Sequence, residues 1–321
     1  MTEQRRVCLI EVGSYSIRFW IADFDEHWKF RTVFVDEEDR EIRHFVNPEI
    51  PDERDIASVN VTVSHLLDKA REFRCDLVAA FGTALCRRID EVHPGKLSKG
   101  IRVLSKAEEA LAALAAGSIC EGGRIRNGEV IVVDEGTGST EIAQGLWTAG
   151  GMKNVKSVSF DIGSARLSEM FKAAPSEYLG SIQKHLQYID ERIRESGMNI
   201  SQSGRLYLLG GVATKIAWLQ VRRSPSEYYK PSLVNGFSYP CSRLIDEYKD
   251  LYGRYESNPV AAAEYVDDRP EREDEVLRVL SGLPFLALVL LRVYGGQLIR
   301  TSAFSIRHGV TFLVCAGALR L

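Results

Sequence analysis

Two spacings of apolar residues alternate along the chain, and together they predict an α/β protein. Short stretches alternate apolar and polar side chains, as half-buried strands do. Other stretches repeat apolar side chains every three or four residues, which is the helical period. In the first part of the chain the predicted strands span residues 7–12, 17–23, 29–35, 77–81 and 101–104, and the predicted helices span 56–74, a short segment after Gly82, and a segment opening at Ser105. The resulting order is βββαβαβα.

The second part of the chain repeats this order. Strands are predicted near 129–134, 140–146, 154–159 and 205–209, with helices at 164–174 and 177–196 and mainly helical patterns after Gly211. Two similar α/β units in one chain predict an internal duplication, with a cleft between two lobes.

Composition limits the classes of function. The chain has 321 residues, a net charge of −3 and 45% hydrophobic residues, which suit two buried cores in a soluble protein. This charge does not favour direct nucleic-acid binding or a membrane surface. The apolar run Leu283–Leu291 contains Pro284 and is too short to span a bilayer. We therefore expect a cytoplasmic protein.

Cysteines and histidines carry no metal signature. The six cysteines are scattered without a Cys-x-x-Cys pair, and several lie in apolar runs, so we expect buried free thiols in a reducing compartment. The six histidines lack ligand spacing, which argues against zinc.

Two strand ends carry an acidic residue followed by glycine and hydroxyl residues. One runs from Asp134 through Gly136, Gly138, Ser139 and Thr140 to Glu141, and the other contains Glu11, Gly13, Ser14 and Ser16. Glycine after a strand is often only a tight turn. A loop of this kind also presents backbone N–H groups to an anion, and carboxylates beside it can hold the cation that neutralises the anion. A plain turn needs no carboxylate, so the repeated acid favours two lobes that bind one phosphate group.

Seven motifs in order resemble the exopolyphosphatase / guanosine pentaphosphate phosphohydrolase (Ppx/GppA) family. The first loop is similar to the family's Asp-x-Gly-Ser-Asn-Ser, and the second to its Asp-Ile-Gly-Gly-Gly-Ser-Thr-Glu. The other matching segments are Gly82-Thr83 to Arg87, Val103 to Ala110, Ser159 to Leu167, Gly210 to Ala217, and Ser302 to Gly309.

The resemblance implies a fold, an activity and a set of roles. It implies a two-lobed actin-like (ribonuclease H-like) α/β duplication, with lobes at 1–121 plus 303–321 and at 122–302. It implies release of the terminal phosphate from polyphosphate or a guanosine penta- or tetraphosphate, with Mg²⁺ or Mn²⁺ as cofactor. It also implies that a homodimer can form. The implied roles are general base for Glu109, phosphate binding for Ser14, Ser16, Arg87, Gly136, Gly138, Ser139 and Thr140, and metal binding for Asp134, Glu141 and Glu11.

Several positions depart from the family pattern. Glu11 replaces an aspartate, Tyr15 an asparagine, Thr137 a glycine and Lys106 a glycine, and Glu135 adds a negative charge beside the second loop. These departures keep open an alternative function, in which the chain binds a nucleotide or phosphate without turnover as a regulator or partner subunit. Glu108 beside the implied base is expected to cap its helix, and Arg307 either lines the site or anchors the tail.

Overall fold

The structure is a computed structural model. It describes residues 4–13, 16–39, 52–121, 127–199, 203–222, 224, 227, 229–266, 273–295 and 298–321.

Contacts within the chain divide it into two compact units. Unit 1 comprises Met1–Ile125 and Ile306–Leu321, and unit 2 comprises Arg126–Ser305. The junctions predicted from the sequence lie at 121/122 and 302/303. The C-terminal residues therefore belong to the same unit as the N-terminal residues.

Unit 1 is a five-stranded mixed sheet with helices on both faces. The strand order is β3-β2-β1-β4-β5, with β1 and β4 parallel and β1 and β2 forming the first hairpin. The strands are β1 (Arg5–Val12), β2 (Ser16–Phe24), β3 (Phe30–Asp39), β4 (Leu77–Gly82) and β5 (Ile101–Val103), and the helices are α1 (Glu53–Ala70), α2 (Ala84–Val92), α3 (Lys106–Ile119) and, from the end of the chain, α11 (Ile306–Cys315).

Alternation along β1 explains the two layers of unit 1. Cys8, Ile10 and Val12 pack in a core that includes side chains of α1 and α2. Val7 and Leu9 pack in a second core that includes side chains of α3 and α11. Because successive strand residues point to opposite faces, one buried strand serves both cores.

Helices α3 and α11 approach each other very closely. The N-terminus of α3 is a capping box, in which the Ser105 side chain accepts from the Glu108 N–H and the Glu108 carboxylate accepts from the Ser105 N–H. In α11, a Cβ added at Gly309 would lie 1.8 Å from the Ala112 carbonyl oxygen. Only glycine on α11 permits this contact with the alanine-rich helix.

Unit 2 is a six-stranded mixed sheet with order β10-β11-β9-β6-β7-β8. The strands are β6 (Gly128–Glu135), β7 (Thr140–Thr148), β8 (Gly151–Phe160), β9 (Arg205–Gly210), β10 (Ser238–Pro240) and β11 (Leu298–Thr301). The helices are α4 (Ser164–Ala173), α5 (Tyr178–Glu195), α6 (Gly211–Val221), α7 (Pro231–Val234), α8 (Ser242–Ser257), α9 (Pro259–Val266) and α10 (Glu273–Val293).

Helix α10 forms the centre of the unit 2 core. The segment Asp274–Val293 is long and apolar enough to cross a bilayer by length and composition. However, 78% of its apolar stretch is buried inside the protein. Its side chains pack with those of α4, α5 and α8. The helix continues through Pro284, so it is longer than the apolar run that the sequence highlights.

Two strands of unit 2, β10 and β11, are not predicted from the sequence. After Gly211 the sequence predicts mainly helix, but β11 pairs in parallel with β9, and β10 pairs with β11. These strands have three and four residues, which is too short to establish a periodic pattern. Their pairing depends on the long-range contact with β9.

Candidate functional site

The two acidic hairpins share one backbone hydrogen bond at the turn. The Gly13 N–H donates to the Ser16 carbonyl at 3.0 Å in the β1–β2 hairpin, and the Gly136 N–H donates to the Ser139 carbonyl at 2.9 Å in the β6–β7 hairpin. Ser14 and Tyr15, at the tip of the first turn, lie outside the described residues. The shared bond aligns the two hairpins residue by residue.

This alignment places Glu11 and Asp134 at equivalent positions. Glu11 lies opposite Arg18 in the first hairpin, whereas Asp134 lies opposite Glu141 in the second. Two residues directly opposite in an antiparallel pair lie on the same face of the sheet, with Cβ atoms about 5 Å apart. The second hairpin thus offers a pair of carboxylates, and the first offers a carboxylate and a guanidinium.

The turn of the second hairpin presents unused backbone donors. In the part of the chain that the structure describes, the N–H groups of Thr137, Gly138 and Ser139 have no protein acceptor. The carbonyls of Gly136 and Thr137 instead accept from the first N–H groups of α4, both at 3.0 Å. The turn is therefore tied to a helix start while its own donors remain available to an anion.

Gly163 makes that attachment possible. A Cβ at this position would lie 2.5 Å from the Thr137 carbonyl oxygen and 2.6 Å from the Ser139 nitrogen. The sequence shows Gly163 only within a motif match, and its packing under the turn was not predicted. Because Gly163 is distant from the turn in sequence, no local pattern of residues indicates this contact.

Glu141 is a buried carboxylate with a defined partner. The Glu141 residue is 7% exposed, and its carboxylate accepts a hydrogen bond from the Ser159 hydroxyl at 3.0 Å. The neighbouring Thr140 hydroxyl donates to the Ile162 carbonyl at 2.6 Å and is fully buried. Because that hydroxyl already has an acceptor within the fold, Thr140 holds the turn rather than presenting a side-chain donor.

In unit 1, Glu109 and Arg87 form a buried ion pair. Arg87 Nη1 lies 2.6 Å from Glu109 Oε2 and also donates to the Leu104 carbonyl at 2.8 Å. Their side chains are 15% and 11% exposed. Burial raises the pKa of Glu109, and the charge of Arg87 opposes that rise. The result is a carboxylate held at a fixed position on the first turn of α3.

Each of these two side chains keeps unused groups. Within the described part of the chain, Arg87 Nε and Nη2 have no hydrogen-bond acceptor, and Glu109 Oε1 has no donor. One edge of the guanidinium therefore holds the carboxylate, and the other edge can bind an anion bidentately.

Glu11 and Arg307 form a second ion pair in unit 1. Arg307 Nη1 lies 2.8 Å from Glu11 Oε2, across 296 positions of sequence, and both side chains are 13% exposed. Arg307 therefore anchors α11 to the end of β1. Ser16 is the other residue of the first loop to which the resemblance assigns phosphate binding, and it lies within the described residues. It is 6% exposed.

Comparison with known proteins assigns the family. The model of the Ppx/GppA phosphatase family matches residues 53–230, which is more than half of the chain. The chain belongs to the Ppx/GppA phosphatase family. This membership confirms the resemblance seen in the sequence and supports phosphohydrolase activity in general. The curated proteins give no significant match.

Solved structures of the Ppx/GppA family show the fold. An Aquifex aeolicus family member is 19% identical, with a TM-score of 0.69, and the alignment covers 99% of this chain and 100% of the other. An exopolyphosphatase from Cytophaga hutchinsonii is 16% identical, with a TM-score of 0.69, over 98% of this chain and 99% of the other. The predicted α/β, actin-like fold class is confirmed.

Two departures from the Ppx/GppA pattern have a structural explanation. No residue of the turn 136–139 adopts a positive φ, so a β-branched residue at Thr137 is not strained. Glu135 points into the unit 2 core: it is 1% exposed, and both of its carboxylate oxygens are buried without a hydrogen-bond partner. Burial raises the pKa of Glu135 to about 8, so it adds little negative charge beside the turn at neutral pH.

Proposed function

We propose that the protein is a metal-dependent phosphoanhydride hydrolase that releases the terminal phosphate of polyphosphate or of a guanosine penta- or tetraphosphate. The observation that carries this proposal is the buried Glu109–Arg87 pair, in which a carboxylate with a raised pKa adjoins an arginine with a free edge. Family membership supports the reaction class.

Glu109 is the proposed general base. Its Oε2 is held by Arg87, which leaves Oε1 to accept a proton from the attacking water. A raised pKa makes the carboxylate a stronger base, provided that it stays ionised at the working pH, and the charge of Arg87 favours the ionised form. General-base catalysis of this kind contributes about 10²–10⁴-fold in rate.

Phosphoryl oxygens need positive charge and N–H donors as the anhydride bond breaks. Within unit 1 we assign such a role to the free edge of Arg87. Within unit 2, considered separately, we assign an anion-binding role to the turn amides of Thr137, Gly138 and Ser139. Loop donors of this kind are fixed before substrate binds, because the turn is held by α4. Thr140 and Gly163 stabilise the turn.

A divalent cation, Mg²⁺ or Mn²⁺, is the proposed cofactor. Asp134 and Glu141 lie opposite each other on one face of the sheet and supply two hard oxygen ligands, which suits Mg²⁺ completed by water and substrate oxygens. When bound, the cation would neutralise charge on the leaving phosphate. Glu11 is a weaker candidate ligand, because Arg307 already neutralises its carboxylate.

Short condensed phosphates and nucleotides are the preferred substrates in this proposal. A long polyphosphate chain needs an extended basic surface, and the protein carries a net charge of −3. The proposal therefore places tripolyphosphate and guanosine tetra- or pentaphosphate ahead of long polymers.

The test is phosphate release with Mg²⁺ or Mn²⁺ from polyphosphates of several lengths, guanosine tetra- and pentaphosphate, and nucleoside triphosphates. Glu109→Gln should lower kcat by about 10²–10⁴-fold, because amide nitrogen and oxygen cannot act as the base. Glu108→Gln is the matched control, since Glu108 is one residue away and is engaged by Ser105 and Arg102.

The outcomes separate the hypotheses. Full turnover by Glu109→Gln would overturn the role of Glu109. Silence of the folded wild-type protein across the whole panel would overturn the hydrolase and favour the alternative of a phosphate- or nucleotide-binding regulator.

A further inference from the structure

Two arginines near Glu109 are each already paired with a carboxylate. Arg87 is paired with Glu109 at 2.6 Å, and Arg307 is paired with Glu11 at 2.8 Å. The charge of Glu11 also acts on Glu109 and raises its pKa. These two carboxylates and two guanidinium groups sum to zero charge.

Lys106 is a third cation close to Glu109, and among the described residues it forms no ion pair with a carboxylate. It occupies the first position of α3, three residues before Glu109, so both side chains lie on one side of the helix. It is exposed, and within the described residues its ammonium group has no ion pair or hydrogen bond. It is close enough for its charge to lower the pKa of Glu109.

A condensed phosphate brings several negative charges to the base. The phosphate that is released can take the free edge of Arg87, but the remaining phosphates of the substrate still repel Glu11 and Glu109. An ammonium group on a flexible stem can contact phosphate oxygens over a range of positions. A monophosphate ester has no further phosphate for such a contact.

We propose that Lys106 binds the part of the phosphate chain next to the phosphate that is released, and that it selects condensed phosphates over monophosphate esters. This inference rests on the proposed function, because it assumes that Glu109 and Arg87 act on a phosphoanhydride. It assigns a role to a position where the family motif carries glycine, and that role is substrate binding rather than chemistry.

The experiment compares Lys106→Ala with Lys99→Ala. Lys99 belongs to the same unit, is exposed and has no ion pair within the described residues, so both variants lose the same surface charge. For tripolyphosphate, Lys106→Ala should raise KM about tenfold with kcat changed less than twofold. Lys106→Arg should restore KM, and Lys99→Ala should leave it unchanged.

Two further readouts exclude a nonspecific effect. The dependence of kcat/KM on salt concentration should be weaker in Lys106→Ala, because one phosphate contact is lost. Turnover of p-nitrophenyl phosphate, a monophosphate ester, should be the same in wild-type protein and Lys106→Ala. Binding of tripolyphosphate to Glu109→Gln, measured by calorimetry, should weaken about tenfold when Lys106→Ala is added.

The possible failures can be told apart. If the wild-type protein hydrolyses the panel but Lys106→Ala matches Lys99→Ala in KM and salt dependence, the role of Lys106 is overturned and the hydrolase stands. If Lys106→Ala lowers kcat and leaves KM unchanged, substrate binding by Lys106 is also overturned. If the wild-type protein is inactive and calorimetry shows no tripolyphosphate binding, both the proposed function and this inference fail.

Discussion

At the scale of single residues, Glu135 shows how one position can differ between otherwise equivalent hairpins. The shared turn bond aligns Glu135 with Val12, which is fully buried in unit 1. Glu135 is equally buried, and a Cβ at Gly282 of α10 would lie 3.0 Å from its Oε1. A core position that suits an aliphatic side chain therefore holds a carboxyl group without a partner, which costs stability.

This burial predicts a pH-dependent loss of stability. The folded-state pKa of Glu135 is about 8 against an ordinary value of 4.5, so the folded protein binds the proton more tightly than the unfolded chain. Below the ordinary value both states are protonated and no stability is lost; as pH rises toward about 8, the free energy of unfolding falls by about 1.4 kcal/mol per pH unit. Glu135→Leu should remove this slope and be more stable by a few kcal/mol at pH 8.

Urea unfolding of wild-type protein and Glu135→Leu between pH 4.5 and 8.5 measures the difference in their free energies of unfolding. Glu135→Gln cannot ionise but remains polar. It therefore separates the effect of ionisation on stability from the effect of burying a polar group. A gap between wild type and Glu135→Leu that does not grow with pH would contradict the burial of an ionisable group here.

At the scale of elements, the contact between α3 and α11 places the candidate base. Helix α3 carries Glu109 on its first turn, and its residues from Glu109 to Ile119 are buried except Leu111, which is partly buried. The capping box at Ser105 fixes where this helix begins. The local sequence thus determines the start of α3, and the packing of α11 holds it against the sheet.

Gly309→Ala should disrupt this contact. The added Cβ would meet backbone rather than a movable side chain, so relief requires a shift of the helix, and overpacking of this kind costs about 1–3 kcal/mol. Gly180→Ala is the matched control, because Gly180 also lies in a helix and has nothing within 4 Å of an added Cβ. The control should be neutral or slightly stabilising through helix propensity. Thermal unfolding compares them, and equal melting temperatures would refute the close approach.

At the scale of the whole molecule, the two units differ in how they use the chain. Unit 2 is continuous in sequence and has its own core built around α10. Unit 1 is discontinuous, and Ile306, Val310 and Leu313 of its last helix belong to one of its two cores.

A fragment of residues 127–305 should therefore fold alone, with a cooperative thermal transition and dispersed amide resonances. A fragment of residues 1–125 should not, because removal of α11 exposes one face of α3 and leaves Glu11 without Arg307. Addition of a peptide covering 306–321 should restore structure to the second fragment. A cooperative transition of residues 1–125 alone would contradict the role of the C-terminal segment.

The sequence by itself determined the features that depend on neighbours in the chain. The βββαβαβα order of unit 1, the capping box of Ser105 and Glu108, and the two acidic hairpins follow from local periodicity and turn chemistry. Ordered motif matches identified the family. These signals are local because hydrogen bonds of helices, caps and tight turns join residues a few positions apart.

Only the tertiary structure decided which side chains meet. The pairing of Glu11 with Arg307, the support of the turn by Gly163, the added strand β11 and the burial of Glu135 join residues distant in sequence. In each case the partner lies on another element. Whether a carboxylate binds metal, pairs with arginine or lies neutral in a core depends on the field and solvent around it. Those surroundings exist only once the elements have packed.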